Sequence, residues 1–424
     1  MNDQTTILAI ISIIIGIFSF FFRKRYTLLN ILILVILIAT IVECLITVIY
    51  ADGVSNSGII SIIALLIFST TLLGITLSSL IRARYEKDGV FQPFYFLSLG
   101  IVIISIKFEN ISAILPFLIT FIFAYNLGSQ KIKHKTLTIV MIILSVIMTL
   151  WFILKFFDYS TETFQFIFSI IIALIALAFI SIPFILSSYQ TKTDGEYRGL
   201  SPNILPAYFI PLVLFYLGFH LYSTFGLWIL IIGLVIYELI IITRDDIPLI
   251  LGILSAGTLT AIIGIYLPSD TAKIGALLIV VSDMLTAPTL ITALNILIPQ
   301  EIKGPLARTT LWVNHPSLSG IVRYGILSIL GLPPAISFIG RLMIIAVLFT
   351  NANVAVAIIF VISILIHLSS TLRFMRNIIG NPPPEEYPSI TKKERASYII
   401  PIVLSYIIVL ILPFLPRSIL DILR

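Results

Sequence analysis

Of the chain's 424 residues 59% are hydrophobic and only 11% charged, and the mean hydropathy of +1.14 lies far outside the soluble range. No water-soluble fold hides that much apolar surface, and the polar breaks are too short for a separate soluble domain. The formal charge of +6 is scattered over short loops, whereas a nucleic-acid footprint gathers its basic residues on one soluble face, so no nucleic-acid partner is expected.

A membrane-crossing helix takes about 20 apolar residues. Runs of that kind predict an all-α polytopic membrane protein with about fourteen transmembrane helices. These spans lie near 5–22, 27–50, 59–81, 91–106, 110–127, 136–157, 164–187, 205–222, 225–243, 247–267, 273–298, 321–350, 353–379 and 397–415. Span 1 follows Met1-Asn2-Asp3-Gln4, which lacks the positive n-region of a signal peptide, so a retained helix is expected. Span 2 holds the single cysteine, Cys44, so neither a disulfide framework nor a thiolate-bound metal or iron–sulfur cluster is expected, and no cofactor. Glu43, beside it, reads as a packing or subunit contact.

Loop charges orient the chain. The loops after the odd-numbered spans carry nearly all the lysine and arginine, from Arg23, Lys24 and Arg25 to Lys392, Lys393 and Arg395. The opposite loops carry only Lys107, Lys155 and Lys273. Positive residues collect on the cytoplasmic side, which predicts a multi-pass protein of the cell membrane with both termini outside. Spans 4–8 and 9–13 form two groups of five. The odd number makes the second group inverted relative to the first, a common transporter plan. The predicted organisation is therefore N-terminal spans 1–3 over 1–90, a first repeat over 91–222, a second over 223–380, and a loop with span 14 over 381–424.

Each group has proline in its fourth member, Pro183 in span 7 and Pro333-Pro334 in span 12. Freed backbone groups are costly in hydrocarbon, so these breaks face protein or water. Span 12, at 1.5 Å per residue, would be roughly 45 Å long and too long to cross straight. A break at Gly331-Leu332-Pro333-Pro334 resolves the excess.

Ionisable groups inside the spans are functional hypotheses by default, since each costs about 2.5–3.5 kcal/mol at mid-membrane. Lys155 and Asp158, at the outer end of span 6, read as an interfacial ion pair. Glu238 in span 9 lies near Arg244 and reaches toward the inner interface. Asp245-Asp246 reads as a solvated loop pair, because a second aspartate cluster for a metal site is missing. Asp283 in span 11 and Arg341 in span 12 each lie about 15 Å below the outer surface, so they are expected to pair inside the second repeat. That pair is either a charge responsive to a passing ion or a static tie between two helices. His367 in span 13 lies about 9 Å from the inner boundary. Histidine is the side chain that ordinarily titrates near neutral pH, so it serves as a proton relay or rests on a neighbouring carbonyl. No GxxxxGK[ST], GxGxxG, HExxH or GxSxG motif is present.

Gly331-Leu-Pro-Pro-Ala-Ile-Ser-Phe-Ile-Gly-Arg341-Leu resembles the Gly-(Ile/Leu)-Pro-Pro-x-x-Gly-Phe-x-Gly-Lys segment of the antiporter-like subunits of complex I. Thr371-Leu-Arg-Phe-Met-Arg376-Asn-Ile-Ile-Gly380-Asn-Pro-Pro-Pro-Glu-Glu386 is similar to the stretch after the next helix in subunit N. Weaker echoes at Phe94 to Gly100, Glu109-Asn110, Ala178-Phe179, Pro183-Phe184 and Ser201-Pro202 extend the resemblance over roughly 91–415. It implies a non-redox membrane subunit of a complex I-like, hydrogenase-like or Mrp-type assembly, carrying protons or Na+ beside other membrane subunits. Electron transfer from a donor to quinone or another acceptor is expected in those other subunits.

The departures are specific. The family's glutamate of span 5 falls at Ile119 beside Thr120, its lysine of span 7 near Ala178 or Ile180, and its lysine of span 8 at Leu212. Its lysine of span 12 is Arg341, and arginine does not release its proton. The first half-channel is thus expected to be degenerate, leaving one ion path near Arg341, Asp283, His367 and Glu238. The absence of a long lateral helix after span 14 favours an N-like relative. The sequence also fits a stand-alone secondary transporter or lipid-linked sugar flippase, and a purely structural membrane subunit.

Overall fold

A computed structural model describes residues 3–21, 26–49, 170, 173–174, 177, 180, 224–243, 248–297, 316–333, 335–351 and 354–379. Outside the described residues lie most of the expected spans 3–8, span 14, Pro183, Pro334, the Lys155–Asp158 pair, Asp245-Asp246, Ile119, Thr120, Ala178, Leu212 and the segment 380–386. The described elements are all helices: α1 (Asp3–Phe21), α2 (Tyr26–Ile49), α3 (Thr224–Ile242), α4 (Pro248–Tyr266), α5 (Asp270–Leu297), α6 (Pro316–Leu330), α7 (Ile336–Asn351) and α8 (Val354–Ile379). Helices α1 and α2 belong to one compact unit, and α3–α8 to a second.

In the first unit α1 and α2 pack on each other. Ile33, Ile36, Leu37 and Thr40 of α2 are buried at helical spacing, and the Thr40 hydroxyl donates to the Ile36 carbonyl at 2.8 Å. The remaining exposed faces are apolar too, including Ile10, Ile14, Phe18, Ile31, Val35 and Ile38. A helix apolar on every side suits hydrocarbon, not water.

In the second unit α4 is the central element, buried along its whole apolar length, with α3 and α5 against it. Among the described residues three helical stretches are long and apolar enough to cross a membrane, Thr224–Ile242, Leu249–Tyr266 and Val354–Arg373. α3 buries one face, Leu227, Leu230, Leu234, Tyr237, Glu238 and Ile241, and leaves Ile232, Ile236 and Leu239 exposed. The closest packing joins α5 and α7. A Cβ built on Gly275 would lie 2.6 Å from the Gly340 carbonyl oxygen, and one on Gly340 would strike the Gly275 carbonyl in turn. Small residues facing each other let two backbones touch where lipid supplies no hydrophobic drive.

The long span 12 is two helices. α6 has 15 residues, α7 has 16, and the chain turns at Gly331 with φ of 70°. The Leu332 N–H bonds to the Leu327 carbonyl and the Gly331 N–H to the Ser328 carbonyl, both at 3.0 Å. That is the 6→1 and 5→2 pair of a Schellman cap, with glycine in the left-handed position it favours. Pro333 then cannot continue a helix. α6 begins at Pro316, upstream of the expected 321, and α5 at Asp270, upstream of 273. At α5 the Lys273 N–H reaches the Ser269 carbonyl at 3.1 Å, and the Asp270–Lys273 ion pair at 3.4 Å occupies the first turn. That turn is polar, so an apolar-run criterion passes over it.

Arg373 of α8 donates to the Ile242 carbonyl at the C-terminus of α3. A cation there complements the negative end of the helix dipole. The contact puts the C-terminal parts of α3 and α8 side by side, the arrangement expected of two odd-numbered spans.

Candidate functional site

Among the described residues the charged side chains classed as buried number four, and all lie in the second unit: Glu238 on α3, Asp283 on α5, Arg341 on α7 and His367 on α8. They form two couples of different character.

Asp283 and Arg341 are 1% and 3% exposed and interact electrostatically, as their equal depth in the sequence suggested. They do not hydrogen-bond. Both carboxylate oxygens of Asp283 lack a hydrogen-bond partner among the described residues, while Arg341 Nη2 donates to the Ile329 carbonyl at 3.1 Å. Between them lies Gly257 of α4: a Cβ there would sit 2.7 Å from Asp283 Oδ2 and 3.6 Å from Arg341 Nη2. The guanidinium is instead folded over the break in its own span. A Cβ on Gly331 would collide with Arg341 Nε, so this glycine serves both the cap and the arginine. The cation thus sits on a carbonyl of the α6 C-terminus, a favourable end for positive charge.

Hydroxyls complete the lining. Ser282 and Ser328 share a bond of 2.9 Å from α5 to α6, and the Ser337 hydroxyl donates to the Ser328 carbonyl at 2.5 Å. A chain break inside a membrane leaves carbonyls that must find donors. Here Ser337 and Arg341, both on α7, supply them.

Glu238 and His367 form the second couple. His367 Nδ1 and Glu238 Oε1 are 2.8 Å apart across the α3–α8 interface, with side chains 1% and 2% exposed. Their outer atoms, Glu238 Oε2 and His367 Nε2, are buried with no hydrogen-bond partner among the described residues. His367 therefore rests on a carboxylate, not on a carbonyl, and Glu238 is buried against it. Glu238 also acts electrostatically on Arg341, second to Asp283, which links the two couples.

One described residue of the expected span 7 also meets this unit's hydroxyls. The Ile180 carbonyl, three residues before Pro183, accepts hydrogen bonds from Ser255 Oγ at 3.1 Å and from the Tyr237 hydroxyl at 3.4 Å. Donors from α4 and α3 thus converge on one backbone carbonyl. Gly257, the serine ladder and the Ser255–Tyr237 pair were not singled out in the sequence; the one available signal for Gly257 is a glycine inside an otherwise regular apolar span. No group of three or more metal-ligating side chains occurs among the described residues.

No protein-family profile and no curated protein matches the chain. Solved structures do. A chain of the Mrp complex from Dietzia sp. DQ12-45-1b superposes with TM-score 0.60 at 12% identity, covering 100% of this chain and 96% of its own. A chain of respiratory complex I from Thermus thermophilus with bound aureothin gives 0.56 at 14% identity, covering 97% and 98%. A chain of the membrane-bound sulfane sulfur reductase, an archaeal respiratory membrane complex, gives 0.61 at 12% identity, covering 99% and 95%. The likeness runs the length of the chain and bears out, for the fold, the resemblance carried by the motifs at 331–341 and 371–386.

Proposed function

We propose that the chain is an antiporter-like, non-redox membrane subunit of a complex I-like, hydrogenase-like or Mrp-type assembly in the cell membrane, contributing to translocation of protons or Na+. One observation carries this reading: four buried ionisable side chains share one unit with a capped helix break, over which one of them, Arg341, is folded, in a chain with the fold of subunits of such complexes. A soluble-facing scaffold has no need to bear that electrostatic cost. The working path is the one lined by Asp283, Arg341, Glu238 and His367. The path of the first repeat is degenerate, because aliphatic residues occupy the aligned family positions; of these Ile180 is fully buried.

The test is purification of the tagged chain in mild detergent, followed by ion-translocation assays in vesicles. Co-purification with further membrane subunits, and a loss of about tenfold or more in coupled translocation for Asp283→Asn with assembly intact, is expected. Isolation as a lone monomer would favour a secondary transporter or flippase. Substitution of Ile119 or Leu212 by alanine is expected to leave translocation unchanged. A second reading, a purely structural subunit, is favoured by the bond from Arg341 to the Ile329 carbonyl, which uses the cation to close a break. Reduced assembly in Asp283→Asn, with translocation unchanged in the complex that still assembles, would select it.

A further inference from the structure

The four buried ionisable groups do not balance. Arg341 brings one positive charge that arginine does not give up, and Asp283 and Glu238 bring two carboxylates. With both carboxylates ionised and a neutral imidazole, these four groups, the buried ionisable ones among the described residues, carry one net negative charge in a low-dielectric interior, a costly state unless a proton or a partner offsets it. Asp283 is the carboxylate with the stronger coupling to Arg341. Glu238 has its own neighbour, the imidazole of His367.

We infer that the Glu238–His367 couple is a buried site for one exchangeable proton, taken up and released at Nε2 of His367, with Arg341 as a fixed counter-charge. The geometry admits both occupancies without rearrangement. In the empty state Nδ1–H donates to Glu238 Oε1 and Nε2 offers a bare lone pair. In the loaded state both ring nitrogens carry protons, the Nδ1 bond to the carboxylate is retained, and the cluster is neutral. His367 Nε2 and Glu238 Oε2, both buried and without a hydrogen-bond partner among the described residues, are the atoms left to meet an incoming proton carrier such as water.

The surroundings agree with a site of this kind. α4, packed against α3, has no charged side chain, and its one tyrosine is Tyr266. α6 carries Arg323 and Tyr324, α7 carries Arg341, α8 carries Arg373, and α3 carries Tyr237. Arg373 is directed to the Ile242 carbonyl and Tyr237 to the Ile180 carbonyl. The inference rests on the ion-path reading for its purpose, not for its geometry.

The chain has four histidines, which makes selective labelling practical. Nitrogen NMR of 15N-histidine-labelled full chain in nanodiscs, with the His367 signals identified by their loss in His367→Gln, reads the site directly. Expected, in a series sampled from roughly pH 5 to 9, is a change of Nε2 between bare and protonated forms, and a loss of protonated form in Glu238→Gln at the pH where the native site is half occupied. Glu238→Asp, which retains a carboxylate, is expected to keep part of the protonated fraction. An Nε2 fixed in one state over the whole range in the native chain overturns the inference, whether or not the variants fold. So does a titration identical in Glu238→Gln. Translocation assays separate the two proposals. A titrating Nε2 in a protein that moves no ions sinks the transport reading and leaves the proton site standing. Full translocation in His367→Gln with a silent Nε2 does the reverse.

Discussion

The two buried couples of the second unit solve the same problem in opposite ways. Glu238 and His367 meet directly, at 2.8 Å, and neither side chain bonds the backbone in that contact. Asp283 and Arg341 stay apart, and the arginine bonds the Ile329 carbonyl of a helix terminus. An acid–base pair joined by one hydrogen bond has two protonation states of similar geometry. A guanidinium clamped to a carbonyl has one. The first couple is built to change its charge and the second to hold it constant.

The sharpest way to break that contrast is to remove the constant charge. Arg341→Met strands two carboxylates and is expected to cost about 3–5 kcal/mol, read as lost accumulation and lower thermal stability in detergent. Adding Asp283→Asn is expected to recover part of the loss; no recovery would mean that the arginine acts on Ile329 alone. A step down in size, Gly331→Ala forces a left-handed residue to carry a Cβ, costing about 1–2 kcal/mol, and displaces Arg341 as well. Its thermal shift should shrink when combined with Arg341→Met, because the collision then disappears; additive shifts would place the whole effect in the backbone. Next, Gly257→Ala fills the space between Asp283 and Arg341 and is expected to cost about 1–3 kcal/mol by overpacking. It should reduce translocation and also perturb the His367 signals, since Glu238 acts on Arg341; an unchanged His367 would show the two couples to be independent. The smallest effect is at the span 7 carbonyl. Ser255→Ala or Tyr237→Phe alone should cost about 0.5–1.5 kcal/mol. The double variant should exceed their sum, since Ile180 then loses both side-chain donors.

Much of the fold was legible in the chain because apolar length is a one-dimensional signal. The expected spans over α1–α5 and α8 fall within a few residues of the observed helices. The break in span 12 was legible too, since Gly331 and Pro333 act locally on the backbone. The approach of Asp283 and Arg341 followed from counting depth along two adjacent spans. Pairing of Glu238 with His367 did not, although both residues stood out. They are 129 positions apart, and depth alone does not say which faces meet. In soluble helices amphipathicity supplies that information. α3 has apolar residues on its buried and exposed sides alike, and α4 is buried all round, so the usual periodicity carries little. Gly257 was hidden for the same reason: its importance lies in what stands beside it, and the neighbours belong to α5 and α7.

The glycines that lock α5 to α7 have a mechanical corollary. With Gly275 and Gly340 wedged backbone to backbone, a slide of one helix along the other would drive a residue one turn away, Ile279 or Ile336, into the contact. Asp283 and Arg341 therefore ride on a single stiff lever, and their spacing answers to torsion of the arginine side chain. A strain signal arriving from elsewhere in an assembly would have to enter through α4, α6 or α8, which pack on that pair, and a cross-link between α5 and α7 should be harmless.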